Sequence, residues 1–297
     1  MKLRPLKPGD RIGLAAPSSP FDREAFERGT AALEAGGYRP VPGRHIFKRN
    51  RYLAGTDAER AEDLMQLLAN PEISAVVCIR GGYGSGRLLS RLPFSSLRDH
   101  HKLFLGHSDI TFLHLAFASQ MGWITFLGPN LTGIGQFEAQ WEYTRRVLAG
   151  ETECSWRFTS GQVLREGTAV GKVLGGNLTC LVHLMSTPFL PELEKVMLLV
   201  EDRGEAPYRL DRLFTQLKLS GRLERLAALL LGEFHECGDR ALIHEMILEQ
   251  VRDYPFPVVA DLPFGHGSVN EAIPLNVEFS LDTYEGSLRA VQSPFCG

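Results

Sequence analysis

The first half of the chain alternates short apolar runs with helix-patterned segments, and this alternation restricts the fold more than any other feature. Residues 11–16 are an apolar run stopped by Pro17, which predicts a buried strand. Asp22 then stands as the N-cap of a helix whose Phe26, Gly29, Ala32 and Leu33 share one face, with Gly36-Gly37 ending it. Thr56-Asp57-Ala58-Glu59 has the form of a capping box, in which hydroxyl and carboxylate each satisfy an orphan backbone donor. The helix behind it would bury Leu64, Leu67 and Leu68 and stop at Asn70-Pro71. Residues 73–79, rich in β-branched side chains, predict a second strand, followed by a glycine-rich turn from Arg80 to Gly86. A strand at 103–105, the segment Gly106-His107-Ser108-Asp109 and a helix over 110–121 complete the pattern. Strands joined through helices form a parallel sheet covered on both faces, so an N-terminal doubly wound α/β domain is predicted.

Residues 150–172 break the alternation, being polar, glycine-containing and aperiodic, and the domain junction is placed there. At roughly 150 residues per domain, 297 residues suit two units, read here as 1–155 and 170–297. The second unit opens on Gly175-Gly176-Asn177-Leu178. It continues with strands at 196–200, 227–234 and 258–262, and helices at 209–219 and 241–252. A hairpin over 277–282 and 288–291 closes it, so a smaller C-terminal α/β domain is expected.

Charge and composition exclude several classes of partner. The formal net charge is −3 and no basic tract occurs, which argues against nucleic acid. The longest apolar runs, 196–200 and 226–231, fall far short of the roughly 20 residues that span a bilayer, so no membrane partner is expected. Met1-Lys2-Leu3-Arg4-Pro5 does not lead into a signal-peptide core, and the five cysteines (Cys78, Cys154, Cys180, Cys237, Cys296) are widely spaced without a CxxC pair. A reduced, cytoplasmic protein is the expectation. His235-Glu236 and His244-Glu245 begin like HExxH, but the required histidine positions hold Asp239 and Leu248. No metal and no cofactor is implied.

Four segments have chemistry-bearing residues. The turn Arg80-Gly81-Gly82-Tyr83-Gly84 lacks a P-loop ending, yet its glycines allow backbone N–H groups to approach an anion closely. Gly106-His107-Ser108-Asp109-Ile110 half-matches a nucleophile elbow, with Ile110 in place of the second glycine. A serine or aspartate at that point is also the commonest helix N-cap. Glu201-Asp202 directly follows the strand at 196–200, and His266 sits between glycines in Pro263-Phe264-Gly265-His266-Gly267. A solvated loop carboxylate and a surface turn histidine are the plain readings of these two. Spacing alone does not join Ser108, Glu201 and His266 into the nucleophile, orienter and base that serine hydrolysis requires.

The motifs taken in order carry more information. Pro8-Gly9-Asp10, Tyr52-Leu53-Ala54-Gly55-Thr56, Arg80-Gly81-Gly82-Tyr83-Gly84, Gly106-His107-Ser108-Asp109, Gly128-Pro129, Gly175-Gly176-Asn177-Leu178, Leu199-Val200-Glu201-Asp202, Gly232-Glu233-Phe234 and Pro263-Phe264-Gly265-His266-Gly267 run nearly the full length. In this order they resemble the LD-carboxypeptidases, serine peptidases that include murein tetrapeptide carboxypeptidases and microcin C immunity hydrolases. The resemblance implies an N-terminal domain carrying the nucleophile Ser108 and a C-terminal domain carrying Glu201 and His266, with the site in the cleft between them. It also implies an oxyanion hole made by the backbone N–H groups of Asp109 and of one of Gly81 or Gly82, with Gly82 the preferred donor.

The resemblance further implies hydrolysis of the L,D-bond before a C-terminal D-Ala in a muropeptide during peptidoglycan recycling, a small peptide substrate and, in many members, a homodimer. Two alternatives stay open. One is a microcin-type peptidyl-adenylate hydrolase, whose stacking aromatic would fall in 181–188, where this chain has no Trp. The other is a catalytically silent peptide-binding protein. Three departures from the family pattern occur: His107 replaces a Tyr, Leu127 a His, and Asn276 a Gly. None of the three is expected to touch Ser108, Glu201 or His266, although His107 is placed where it can alter the pocket floor.

Overall fold

The computed structural model describes residues 2–296. Strands β1 (Arg11–Ala15), β2 (Arg39–Pro42), β3 (Ile73–Cys78), β4 (Leu103–Gly106) and β5 (Thr125–Leu127) form a parallel sheet in the order β5-β4-β3-β1-β2. Helices between the strands supply the crossovers. In the first, Arg23–Ala35, the Asp22 side chain accepts from Ala25 N at 2.9 Å; in the second, Asp57–Ala69, the Thr56/Glu59 capping box is fully formed. The helix Thr111–Met121 is buried on most of its circumference, because it lies between the two halves of the molecule. The fold is α/β with two sheets, as the alternation predicts.

The second sheet is larger, although its chain is shorter. It comprises β6 (Ser155–Arg157), β7 (Val163–Arg165), β8 (Thr168–Asn177), β9 (Val196–Arg203), β10 (Ala228–His235) and β11 (Val258–Val259). After β12 (Ile273–Leu275), the hairpin β13 (Val277–Asp282) and β14 (Ser287–Ala290) completes it, in the order β6-β14-β13-β8-β9-β10-β11-β7. Its centre, β8 to β11, is parallel, and both flanks are antiparallel.

Three local readings change. The aperiodic stretch around 155–165 contains β6 and β7, both at the edges of the second sheet, where three-residue strands leave no readable alternation. The strand predicted at 196–200 runs on to Arg203, so Glu201 and Asp202 lie within β9 rather than after it. Strand β12 returns from the second half to pair antiparallel with β5 as the sixth strand of the first sheet, a long-range pairing without a local sequence signal.

The hydrophobic core follows the sheets across the domain junction. Successive residues of a strand face opposite sides, and in β4 Leu105 joins one buried cluster while Phe104 joins the other. The first cluster links Leu14, Val77 and Leu105 to Leu199, Leu230 and Phe264 through Ile273 and Leu275. The second links Val76 and Phe104 to Leu198 and Leu229. The two halves are therefore packed on shared cores, with the carboxyl ends of both parallel sheets turned toward one cleft, the usual ligand-binding edge of such sheets.

Candidate active site

The site is built from turns at those carboxyl ends. After β4 the chain passes through His107 and reaches Ser108 at φ 67°, a left-handed conformation that non-glycine residues seldom adopt and that concentrates at functional sites. Neither the Ser108 nor the Asp109 side chain caps the helix that follows, so the N-cap alternative does not describe them. Gly81 lies against the serine: a Cβ there would sit 2.7 Å from Ser108 Cβ and 3.0 Å from its Oγ. Gly82 follows at φ 102°, and a Cβ on it would meet Ser19 Oγ at 2.5 Å. Both positions require glycine, one for space and the other for space and backbone angle.

Glu201, at 0 % exposure, projects from β9 to His266, whose side chain is 12 % exposed. Its Oε2 accepts His266 Nδ1 at 2.6 Å and His266 N at 3.1 Å, leaving Nε2 as the ring nitrogen not engaged by the carboxylate. Gly265 makes this contact possible, since a Cβ there would lie 2.5 Å from Oε2. Burial pulls the His266 imidazole down, but the charge of Glu201 and its hydrogen bond outweigh burial and hold the ring above its ordinary value. His266 is thus a largely buried, paired histidine and not an exposed surface residue of its loop.

Ser108, Asp109, Gly82 and His266 all line one cleft of about 1470 Å³, together with Asn177 and Asp202. A carboxylate-bonded imidazole in the same cleft as a serine held in a strained turn is the kind of arrangement that nucleophilic acyl transfer requires. A smaller cavity of about 490 Å³ lies behind Glu233 and Pro263, away from Ser108. Among the described residues, no cluster of His, Cys, Asp or Glu converges as metal ligands.

Several supporting residues escaped the sequence reading. The buried Asp109 carboxylate accepts Ser18 Oγ at 2.5 Å and Ser85 N at 2.7 Å, and Ser85 Oγ donates to Asp109 O at 2.5 Å. Buried Arg60 donates to Gly84 O at 2.9 Å and to Pro17 O, tying the turns after β1 and β3 together. Asp202 accepts from Asn177 Nδ2 at 2.8 Å, Thr179 Oγ1 at 2.7 Å, Thr179 N at 3.0 Å and Arg203 N at 2.8 Å. It anchors the helix Leu178–His183, while its neighbour Glu201 bonds His266. These contacts join residues 23 to 91 positions apart, apart from the adjacent Arg203, so no local motif announces them.

Of the departures, His107 lies in the cleft and, contrary to expectation, touches His266 itself. Its ring lies 5.0 Å from the His266 ring at 67°, an edge-to-face contact. Burial first, and then the neighbouring His266 charge, lower His107 to about 3. Leu127 is buried in β5. Asn276 adopts φ 62°, which explains why asparagine can stand where glycine is usual, and its Nδ2 donates to Gly122 O and Trp123 O.

Known proteins resemble this chain over nearly its full length. Residues 12–128 match the LD-carboxypeptidase N-terminal domain and residues 170–281 the LD-carboxypeptidase C-terminal domain. The murein tetrapeptide carboxypeptidase of Pseudomonas aeruginosa is 35% identical over 281 residues, covering 89% of this chain and 90% of the relative. The crystal structure of muramoyltetrapeptide carboxypeptidase from Oxalobacter formigenes superposes with a TM-score of 0.83 at 30% identity, covering 94% of this chain and 97% of that one. The microcin C7 self-immunity protein MccF, in complex with aspartyl sulfamoyl adenosine, superposes with a TM-score of 0.91 at 25% identity over 100% of both chains. With both domains matched and the fold shared throughout, the chain belongs to the LD-carboxypeptidase family of serine peptidases.

Proposed function

We propose that this protein is a serine carboxypeptidase that hydrolyses the L,D-peptide bond ahead of a C-terminal D-amino acid, D-Ala, in murein tetrapeptides, serving peptidoglycan recycling in the cytoplasm. The observation that carries the reading is the Glu201–His266 pair in the same cleft as the strained Ser108. The murein names of two matching proteins support the substrate class.

In this reading residues 1–155 supply the nucleophile and residues 170–297 the base. His266 Nε2 removes the Ser108 proton as Oγ attacks the scissile carbonyl. Glu201 fixes the imidazole tautomer through Nδ1 and stabilises the imidazolium. The Asp109 and Gly82 N–H groups receive the oxyanion, each such donor being worth about 3 kcal/mol. His266 then protonates the leaving D-amino acid, and water, deprotonated by the same ring, hydrolyses the acyl-serine.

A second reading, hydrolysis of a peptidyl-adenylate analogue as the MccF relationship suggests, has one feature in its favour: Phe189 lines the cleft just beyond 181–188. Mass spectrometry of products from murein tetrapeptide and from an aspartyl sulfamoyl adenosine analogue separates the two. Release of D-Ala by the wild type, lost in Ser108→Ala, is the expected result. Cleavage of the nucleoside compound alone would overturn the murein reading.

A further inference from the structure

A carboxypeptidase must recognise a free carboxylate one residue beyond the bond it cuts, and the cleft contains one group suited to that task. Four arginines line it: Arg28, Arg80, Arg87 and Arg203. Arg87 is paired with Asp57 at 2.7 Å, Arg203 with Glu236 at 3.0 Å, and Arg28 with Glu24 at 3.8 Å. Among the described residues, Arg80 has no carboxylate partner. Its one recorded side-chain bond runs from Nη1 to Pro20 O at 2.8 Å, and the residue is exposed.

The position of Arg80 matters as much as its free charge. It directly precedes Gly81, the residue packed against Ser108, and stands two residues before Gly82. A carbonyl oxygen held at the Gly82 N–H has the substrate's terminal carboxylate about one residue length away, roughly 3.5 Å of chain. An arginine side chain anchored in the same turn is long enough to cover that interval, and its planar fork matches a carboxylate in two parallel hydrogen bonds.

We infer that Arg80 is the anchor for the substrate's C-terminal carboxylate, so that one turn, Arg80-Gly81-Gly82, holds both the oxyanion and the free end of the chain. The inference rests on the peptidase reading above and assigns it a specificity residue. Arg203 is the rival, because its charge also reaches His266.

The test is calorimetric binding of a murein tetrapeptide, as the free acid and as the C-terminal amide, to Ser108→Ala alone and combined with Arg80→Gln, Arg80→Lys or Arg203→Gln. Ser108→Ala is expected to bind the acid roughly 10- to 100-fold more tightly than the amide, as a charge-assisted bidentate contact allows. Arg80→Gln should close that gap by weakening the acid only. Arg80→Lys should restore part of it, and Arg203→Gln should leave it open. A gap that persists in Arg80→Gln, that closes in Arg203→Gln, or that is absent from the start overturns the inference. Tetrapeptide hydrolysis by the wild type tests the peptidase reading separately. If hydrolysis occurs while the gap ignores Arg80 or neither peptide binds, only the anchor is wrong; if the wild type does not hydrolyse the tetrapeptide, both fail.

Discussion

Glu201 Oε2 receives two hydrogen bonds from His266, one from the ring at 2.6 Å and one from the backbone at 3.1 Å. One oxygen therefore fixes both the imidazole and the loop that presents it. The other oxygen, Oε1, is buried without a hydrogen-bond partner, so the histidine is the carboxylate's single polar attachment among the described residues. Its neighbour Asp202 is bonded entirely within its own sheet and the helix after β8.

Glu201→Gln is therefore expected to lower kcat by at least about 10²-fold with KM little changed, given that loss of an orienting carboxylate costs about 10⁴-fold in comparable triads. Asp202→Asn should act mainly on stability, by about 1–3 kcal/mol, because it disturbs buried bonds to Asn177 and Thr179. Steady-state kinetics and thermal melts of both variants check the ranking. An inactive Asp202→Asn beside an active Glu201→Gln would contradict it.

The pH dependence follows from the same pair. In the proposed mechanism the base works as neutral imidazole, and Glu201 holds the His266 ring above its ordinary 6.5 despite burial. The acidic limb of kcat/KM should therefore reach half-maximum above 6.5, and Glu201→Gln should move it down. The sign for stability is opposite. The pairing contribution is complete below the unfolded histidine's value and is lost as pH rises through the raised folded value. A limb at or below 6.5 in the wild type would contradict the pairing.

His107 is the other histidine near Ser108, and burial keeps it neutral down to about pH 3. Its Nδ1 is buried without a partner. His107→Phe keeps an aromatic edge for His266 and removes that orphan, so activity should stay within the same order of magnitude and the melting temperature should not fall. A loss as deep as that of His266→Ala would make His107 the base.

Asp109 links the nucleophile turn to Ser18 and Ser85. Asp109→Ala leaves both donors unpaired in a buried place and should cost about 1–3 kcal/mol per group. Ser18→Ala removes one donor and should cost less, with a smaller fall in kcat. Equal melting temperatures for Asp109→Ala and the wild type would show that the brace is not structural.

Much of this organisation is readable in the chain because it is local. Asp22, the Thr56/Glu59 box, and the strands at 73–79 and 103–105 are governed by neighbours within a few residues, and the structure forms them as predicted. The hairpin at β13 and β14 belongs to the same class. The β12–β5 pairing, the short edge strands β6 and β7 and the Ser18–Asp109–Ser85 brace join distant segments, and no periodicity encodes them. At the site, the glycines at 81, 82 and 265 were visible as a composition. Their reason, the approach of Ser108, Ser19 and Glu201 to within 3 Å of a virtual Cβ, belongs to tertiary structure.

The central claim is that Ser108 becomes covalently acylated. Rapid quenching of the wild-type protein with murein tetrapeptide, followed by intact-mass and peptide-level mass spectrometry, tests it most directly. The account predicts a transient adduct equal to the peptide without its terminal D-Ala, located on Ser108 and absent from Ser108→Ala and His266→Ala. D-Ala release by Ser108→Ala at the wild-type rate, or an adduct on any other residue, would contradict it.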